Sequence, residues 1–433
     1  MRLTLAAALL ALLPASADAA WTGQDLSGPH TFVDDPGLVV SPSGRALAFW
    51  RFQDGTGNRA RSGNSGATRA PGTSGFGTAV RLVPASGILR PGALLDDIVA
   101  SRGDGALLAE RLPGAGDTVA GRLAVRFGST SGRFGRPRTI RRAAPFSIPR
   151  VALAANARGD AVLTWFEDRG VRTDRVYVAL RRAGHGFGRP RRLATGRIRN
   201  VAAAIGERGD ALVGWDARGT LRTRFKPRGR KGFRATDTIR SRSAYFADMH
   251  PVVTPTGRAL LAWSAQFRSE GGTSGPVRFQ TATRAAGARR FARARLLETI
   301  PARAYDELGR AIDAVADTAG VVTVAWRGRN GVRASRGGAP AQTLSAPGTT
   351  AVFSDLAAGP DGRLVAVWDG GVDDDASVVR AAAAGGVGQP FGAPEDVSGP
   401  GVRFGRAGFF ADRPVVIASG RGGGRTRAQG YVR

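Results

Sequence analysis

The chain has 433 residues, with 63 Lys and Arg against 34 Asp and Glu, a formal net charge of +29, three His and no Cys. The missing Cys excludes a disulfide scaffold and any thiolate metal site, and the three scattered histidines exclude a histidine-rich metal centre or a metalloprotease helix. Only Lys226 and Lys231 are lysines, so the excess charge is carried almost wholly by arginine.

Residues 1–19 read as a signal peptide: Arg2 precedes the apolar LTLAAALLALL, and Ala17-Asp18-Ala19 has the small-x-small form of a cleavage site. No later stretch is long and apolar enough to span a bilayer. The expectation is a secreted monomer, extracellular or associated with the cell wall, in which residues 20–433 form one domain.

From residue 37 onward one unit recurs. A short apolar run closes on Trp in RALAFW (Trp50), DAVLTW (Trp165), DALVGW (Trp215), RALLAW (Trp263), VVTVAW (Trp326) and RLVAVW (Trp368). Intervals of roughly 40 to 65 residues are those of repeat architectures. In the copy at 149–194, VALAAN, the turn around Arg158-Gly159-Asp160, AVLTW, RVYVALR and a Phe187-Gly188-x-Pro ending read as four strands. The Phe-Gly ending, taken as part of a short outer strand, returns at Phe76, Phe134 and Phe391, and more loosely at Phe233 and Phe291.

Two units lack the Trp and end instead at Glu110 and Ser419, which brings the count to eight. The last unit runs out of chain before an outer strand, whereas residues 21–29 (WTGQDLSGP) read like the outer strand FGAPEDVSGP at 391–400. A chain that opens with the outer strand of its final unit is what ring closure requires, because the exchange covers both open edges. The sequence therefore predicts an all-β fold: a closed β-propeller of eight four-stranded blades, with seven as the alternative count. The blades are placed at about 37–84, 94–141, 149–194, 199–240, 249–298, 311–345, 354–398, and 402–433 with 21–29. Each Trp is expected to pack in the gap to the next blade and not to serve as a sugar platform. The three Arg-Gly-Asp tripeptides, at 102–104, 158–160 and 208–210, fall in the turn between first and second strands, where Gly supplies a positive φ and Asp or Ser a cap. That placement argues against an adhesion motif.

In a propeller, ligands are received at a mouth built from the connections between blades and the loops between second and third strands. Two adjacent connections carry the unusual residues: SRSAYFADMHP with Tyr245, Asp248 and His250, and PARAYDELGR with Arg303, Tyr305, Asp306, Glu307 and Arg310. Tyr, carboxylates and Arg together suit a sugar or an acidic ligand. If the protein is an enzyme, Glu307, Asp306 and Asp248 are its candidate acid and base with Tyr305 alongside, in a glycoside hydrolase or lyase. Acidic loops at Glu167-Asp168 with Asp174, and at Asp369 with Asp373, Asp374 and Asp375, supply oxygen ligands of the type Ca²⁺ takes, although their spacing matches no calcium loop. No other cofactor is expected.

Arginine concentrates in 126–142, 222–234 and 283–297, on the third and fourth strands that form a propeller's rim. A basic rim attracts anionic envelope polymers, while the lack of aromatic residues interleaved with the arginines makes nucleic acid an unfavoured specific partner. An Ala-, Gly- and Arg-rich surface is also what a GC-rich genome writes by default. The repeat, in the form x-Gly-Asp/Arg-Ala-Leu-x-x-Trp followed by Val-Arg-x-Ala-x-Arg and Phe-Gly-x-Pro-x-x-Leu, resembles that of uncharacterised secreted β-propeller proteins of high-GC Gram-positive bacteria. This resemblance implies fold and transfers no site residue. The Ser-x-Asp-x-Gly-x-x-Trp box of sialidase-type propellers is absent, and Trp-Asp occurs only at 215–216 and 368–369. A non-enzymatic binding or scaffold propeller, taking a polymer, glycan or protein ligand, is the reading preferred over the carbohydrate-active enzyme.

Overall fold

The computed structural model describes residues 20–55, 61–87, 94–112, 122–142, 148, 150–170, 173–217, 219–239, 245–268, 274–301, 311–346, 351–371, 376–410, 413–422 and 424–433. Residues 1–19, the tyrosine-bearing segment 302–310 and Asp373 to Asp375 lie outside them, as do the side chains of 83–87, 94–97, 245–247, 267–268, 274, 354 and 360. No described helix is long and apolar enough to cross a membrane.

The fold is an eight-bladed β-propeller. Each blade is a four-stranded antiparallel sheet, and seven of the eight are built from consecutive strands. Blade three shows the plan: an inner strand Arg150–Ala155, a second Ala161–Glu167, a third Asp174–Arg181 and an outer Arg191–Gly196. Second strands are small, branched and aromatic because both faces are covered. Ala161 through Glu167 is buried at every position, and so is Leu364 through Gly370 in blade seven. The two faces of each second strand feed different seams. In blade three, Ala161, Leu163 and Trp165 pack with Leu107 and Val125 of blade two, while Val162 and Phe166 pack with Val213 and Trp215 of blade four. Such a cluster occupies every seam, including the one where Trp50 of blade one meets Phe410 and Ile417 of blade eight. The ring is closed by its core as well as by its strands.

The six repeated Trp side chains are 0–1% exposed. All of them fill the seam toward the preceding blade, not the next one. Trp326 accordingly donates its indole N–H to Glu298 on the outer strand of blade five, at 2.8 Å. Burying aromatics of this size contributes on the order of 2–3 kcal/mol each. Ser419 does not occupy the Trp position, because blade eight is offset by one residue. Ala418 faces blade seven, while Ser419 faces blade one and donates its hydroxyl to the Val33 carbonyl at 2.9 Å. A one-residue offset exchanges the two faces of a strand.

Closure follows the order read from the chain ends. Thr22–Asp25 pairs antiparallel with Arg425–Val432, completing a sheet with Val402–Phe410 and Arg413–Gly422. The junction repeats contacts made elsewhere in the ring. Gln24 clasps the backbone of Phe76 through both amide atoms, at 2.8 and 2.9 Å, as Gln342 clasps Phe391 at 2.7 and 3.0 Å. Ser27, Ser345 and Ser398 each follow a buried Leu or Val and accept the N–H of a third-strand residue, at 3.0 to 3.1 Å.

The Phe-Gly segments prove to lie just ahead of the outer strands. Phe134, Phe187 and Phe391 form single bridges to their third strands, and the outer strands begin four residues later. In the turns between first and second strands the cap is the opening residue. Ser41, Asn156, Thr254 and Asp317 accept the backbone N–H four residues on, at 2.8 to 3.2 Å, and Gly159 holds φ at 94°. The Asp of two Arg-Gly-Asp tripeptides has another task. Asp160 accepts the Ala183 N–H at 3.0 Å and Asp210 the Arg228 N–H at 2.7 Å, tying each blade's two hairpin turns together at one face of the ring.

Candidate functional site

Of the residues expected at the mouth, Arg303, Tyr305, Asp306, Glu307 and Arg310 lie outside the described set, as does the Tyr245 side chain. Tyr245, Asp248 and His250 belong to no loop. They sit in the inner strand of blade five, Tyr245–Val253, where a bulge between Phe246 and Met249 interrupts the two-residue alternation that marks a strand in sequence. Asp248 accepts the Ala311 N–H of blade six at 2.7 Å, and Nδ1 of His250 stands 2.9 Å from Oδ1 of Asp313 on the inner strand of that blade, Ile312–Ala316. Asp355 repeats the first contact between blades seven and eight, accepting the Ala407 N–H at 2.9 Å. These side chains fasten neighbouring inner strands together.

Of the acidic residues named as calcium candidates, Asp373, Asp374 and Asp375 lie outside the described residues, and the described ones accept hydrogen bonds from the protein. Both Asp369 oxygens receive the N–H of Phe404, at 3.1 and 3.0 Å. Asp174 accepts from Arg169 at 3.2 Å and from Ile198 at 2.8 Å, Asp168 from Gly170 at 2.8 Å, and Glu167 pairs with Arg141 at 2.6 Å. Among the described residues, no three His, Asp or Glu side chains converge on one point.

Asp216, directly after Trp215, is 1% exposed, with one oxygen on the Gly219 N–H at 3.1 Å and the other without a protein donor. Burial pushes its carboxyl up to about 6, against the pull of the Gly219 N–H and of Arg199. The folded value lies above the unfolded one, near 3.9. The protonated side chain therefore favours the native state at low pH, and that contribution is lost as pH rises through about 6. Asp216→Asn is expected to raise stability at pH 7.5 by about 2–3 kcal/mol and to change little at pH 4. Denaturant melts of both proteins at the two pH values measure this, and an equal shift at both would refute it.

Among the described residues, a concavity lies on the hairpin-turn face, across the seam of blades three and four. It is an open cleft of about 1010 Å³ between the turns of blade three (Arg158 and Arg181 to Arg192) and those of blade four (Arg208 and Arg224 to Phe233). Ten arginines and both lysines of the chain line it, with Asp160 as the sole lining carboxylate and Val178, Leu180, Leu193 and Ile205 on its floor. Arg158, Arg182, Arg189, Arg191, Arg228 and Lys231 are exposed. Arg181 is turned inward and donates to the Gly159 carbonyl. Burial acts on both of its deeper cations, and like charge adds to it at Lys226. Burial lowers the Lys226 ammonium, Arg182 lowers it further, and Asp160 and Asp210 only partly offset both. Arg181 is likewise lowered by burial. An anion entering the cleft relieves this repulsion and meets planar donors suited to paired oxygens. The cleft was only half visible in sequence: the run at 222–234 is plainly basic, but its partner wall comes from residues about forty positions earlier.

No protein-family model matches the chain, and no curated protein does. Among solved structures the chain is similar to the Dos1 propeller, at 12% identity over 95% of each chain with a TM-score of 0.51, a likeness of fold alone. Weaker likenesses are to the NanB sialidase of Streptococcus pneumoniae (9% identity, 94% of this chain and 69% of that one, TM-score 0.40) and to a protein of unknown function from Dyadobacter fermentans (11%, 95% and 97%, 0.41).

Proposed function

We propose that this propeller is an exported, non-enzymatic binding protein of the cell envelope whose ligand is an anionic polymer, held in the cleft between blades three and four. The observation that carries the reading is the cleft's composition, twelve cationic side chains around a single carboxylate. Two further features support it. The described groups best suited to acid and base work, Asp248 and His250, are bound into the seams between blades. The segment 1–19 has the form of an export signal.

The test is co-sedimentation of residues 20–433 with purified bacterial cell wall, before and after its anionic polymers are removed, at low and high salt. Binding is expected to need the polymers and to weaken with salt. The triple change Arg189→Gln, Arg191→Gln and Lys231→Gln is expected to weaken it at least tenfold, while Arg425→Gln on blade eight leaves it unchanged. Undiminished binding by the triple variant would dismiss the cleft as the site.

A further inference from the structure

The positive charge is distributed unevenly around the ring. From the third strand through the outer strand, blades two to five (122–142, 174–196, 220–239 and 274–300) carry 26 Arg and Lys with three carboxylates. The corresponding segments of blades six to eight and one (331–346, 376–398, 424–433 with 20–29, and 61–87), of similar total length, carry nine with three. A compositional bias toward arginine falls evenly on equivalent surfaces of a repeat, so it does not account for a threefold contrast between two halves of one ring. Nor do structural duties. Arg126, Arg141, Arg181 and Arg284 are turned inward onto Glu110, Glu167, the Gly159 carbonyl and the Phe225 ring, but Arg133, Arg136, Arg189, Lys231, Arg289 and Arg290 stand exposed on the hairpins.

These hairpins form a continuous surface. Arg191 of blade three reaches the Lys231 carbonyl of blade four at 3.4 Å, and Arg234 of blade four reaches the Ala288 carbonyl of blade five at 2.8 Å. Phe127 of blade two lies against Phe187 of blade three, with ring centroids 6.4 Å apart and the guanidinium groups of Arg138 and Arg181 over the Phe127 ring. The aromatics of this arc (Phe127, Phe134, Tyr177, Phe187, Phe225, Phe233, Phe279 and Phe291) are all buried or half-buried, several beneath arginines. None is presented as a platform on which a base could stack.

We infer that the basic half-ring is an extended track, centred on the cleft, on which a linear non-nucleic phosphodiester polymer lies across the hairpins of blades two to five. This deepens the proposed function and rests on it. Phosphodiesters fit because each repeat brings a charge with two free oxygens, matching the planar donors of arginine. A base-bearing chain would leave its bases without partners.

The test measures binding of poly(glycerol phosphate) in two lengths, about three phosphates and about thirty, over a salt series. The proteins are wild type, the cleft triple variant and a track-end variant, Arg133→Gln, Arg136→Gln, Arg289→Gln and Arg290→Gln. The track-end variant is expected to bind the short oligomer as wild type does. For the long polymer it is expected to lose at least tenfold at low salt, with the slope of log K against log salt shallower by about three. Unchanged binding of the long polymer by the track-end variant, with loss in the cleft variant, would overturn the track and leave the cleft standing. Loss in neither would overturn both. Single-stranded DNA of thirty phosphates is expected to bind no tighter than poly(glycerol phosphate), and a tenfold preference for DNA would overturn the polymer class.

Discussion

A chain that begins at residue 30 is expected to lose about 5 kcal/mol or more of stability and to unfold at lower temperature in stages, whereas Leu26→Ala alone is expected to cost about 2–4 kcal/mol. The missing segment supplies the outer strand of blade eight, four residues in register with Gln429 to Val432. It also contributes Leu26, 5% exposed in the seam between blades eight and one, and Trp21, whose indole donates to Glu395 at 3.0 Å. Burying a leucine contributes about 2–3 kcal/mol, and the lost strand bonds about 1 kcal/mol each. The Asp25 contacts with Arg427 and Gln429, both at 2.9 Å, span 402 and 404 residues, and the Gln24 clasp on Phe76 joins this strand to blade one, so nothing local replaces them. Removal also bares the third strand of blade eight as an open edge. Calorimetry together with light scattering measures both effects. A single transition at the wild-type temperature would show that the packed seams close the ring without the strand.

How much of this was legible depended on the distance over which each feature acts. The eight units, their four strands and the closing exchange are written locally, in a Trp at one strand position, in Gly-Asp and Gly-Arg turns and in a first segment that reads like an outer strand. The seam each Trp enters is not local. Alternation separates the two faces of a strand but does not say which neighbour each face meets, which is why the structure reverses the expected packing direction and shifts the Trp-equivalent position of blade eight by one residue from Ser419. The start of the inner strand of blade five reads as a loop in sequence because its bulge hides the alternation. The partners of Asp248 and His250 lie 63 residues away in each case, just before and on a strand that becomes adjacent only in the ring. The basic stretches were plain in the sequence, but their union into one cleft and one half-ring needed the blade order. Structural arginines were invisible in it: Arg284, 2% exposed and 3.7 Å from the centre of the Phe225 ring, reads like any surface arginine.

Glu110→Ala is expected to destabilise the protein by about 3–5 kcal/mol, the cost of breaking a buried ion pair on one side. Blade two is the blade in which a carboxylate stands at the Trp position, on the face that Leu108 turns toward blade one. Glu110 is 0% exposed and meets Nε of Arg126 at 2.7 Å. Its second oxygen has no protein donor, and burial pushes its carboxyl up against the pull of Arg126 and Arg122. Removing the carboxylate strands a guanidinium that is only 13% exposed, held otherwise by the Gly135 carbonyl at 3.2 Å. Removing both charges is a different matter, since the desolvation cost of the pair disappears with it. Glu110→Leu with Arg126→Leu is therefore expected to match wild type or exceed it by about 1–4 kcal/mol. Denaturant unfolding of the two single variants and the double closes the cycle and reads the coupling directly. A double variant as unstable as Glu110→Ala would mean that the pair fixes the register of blade two against blade one, and that the seam has no apolar solution at this position.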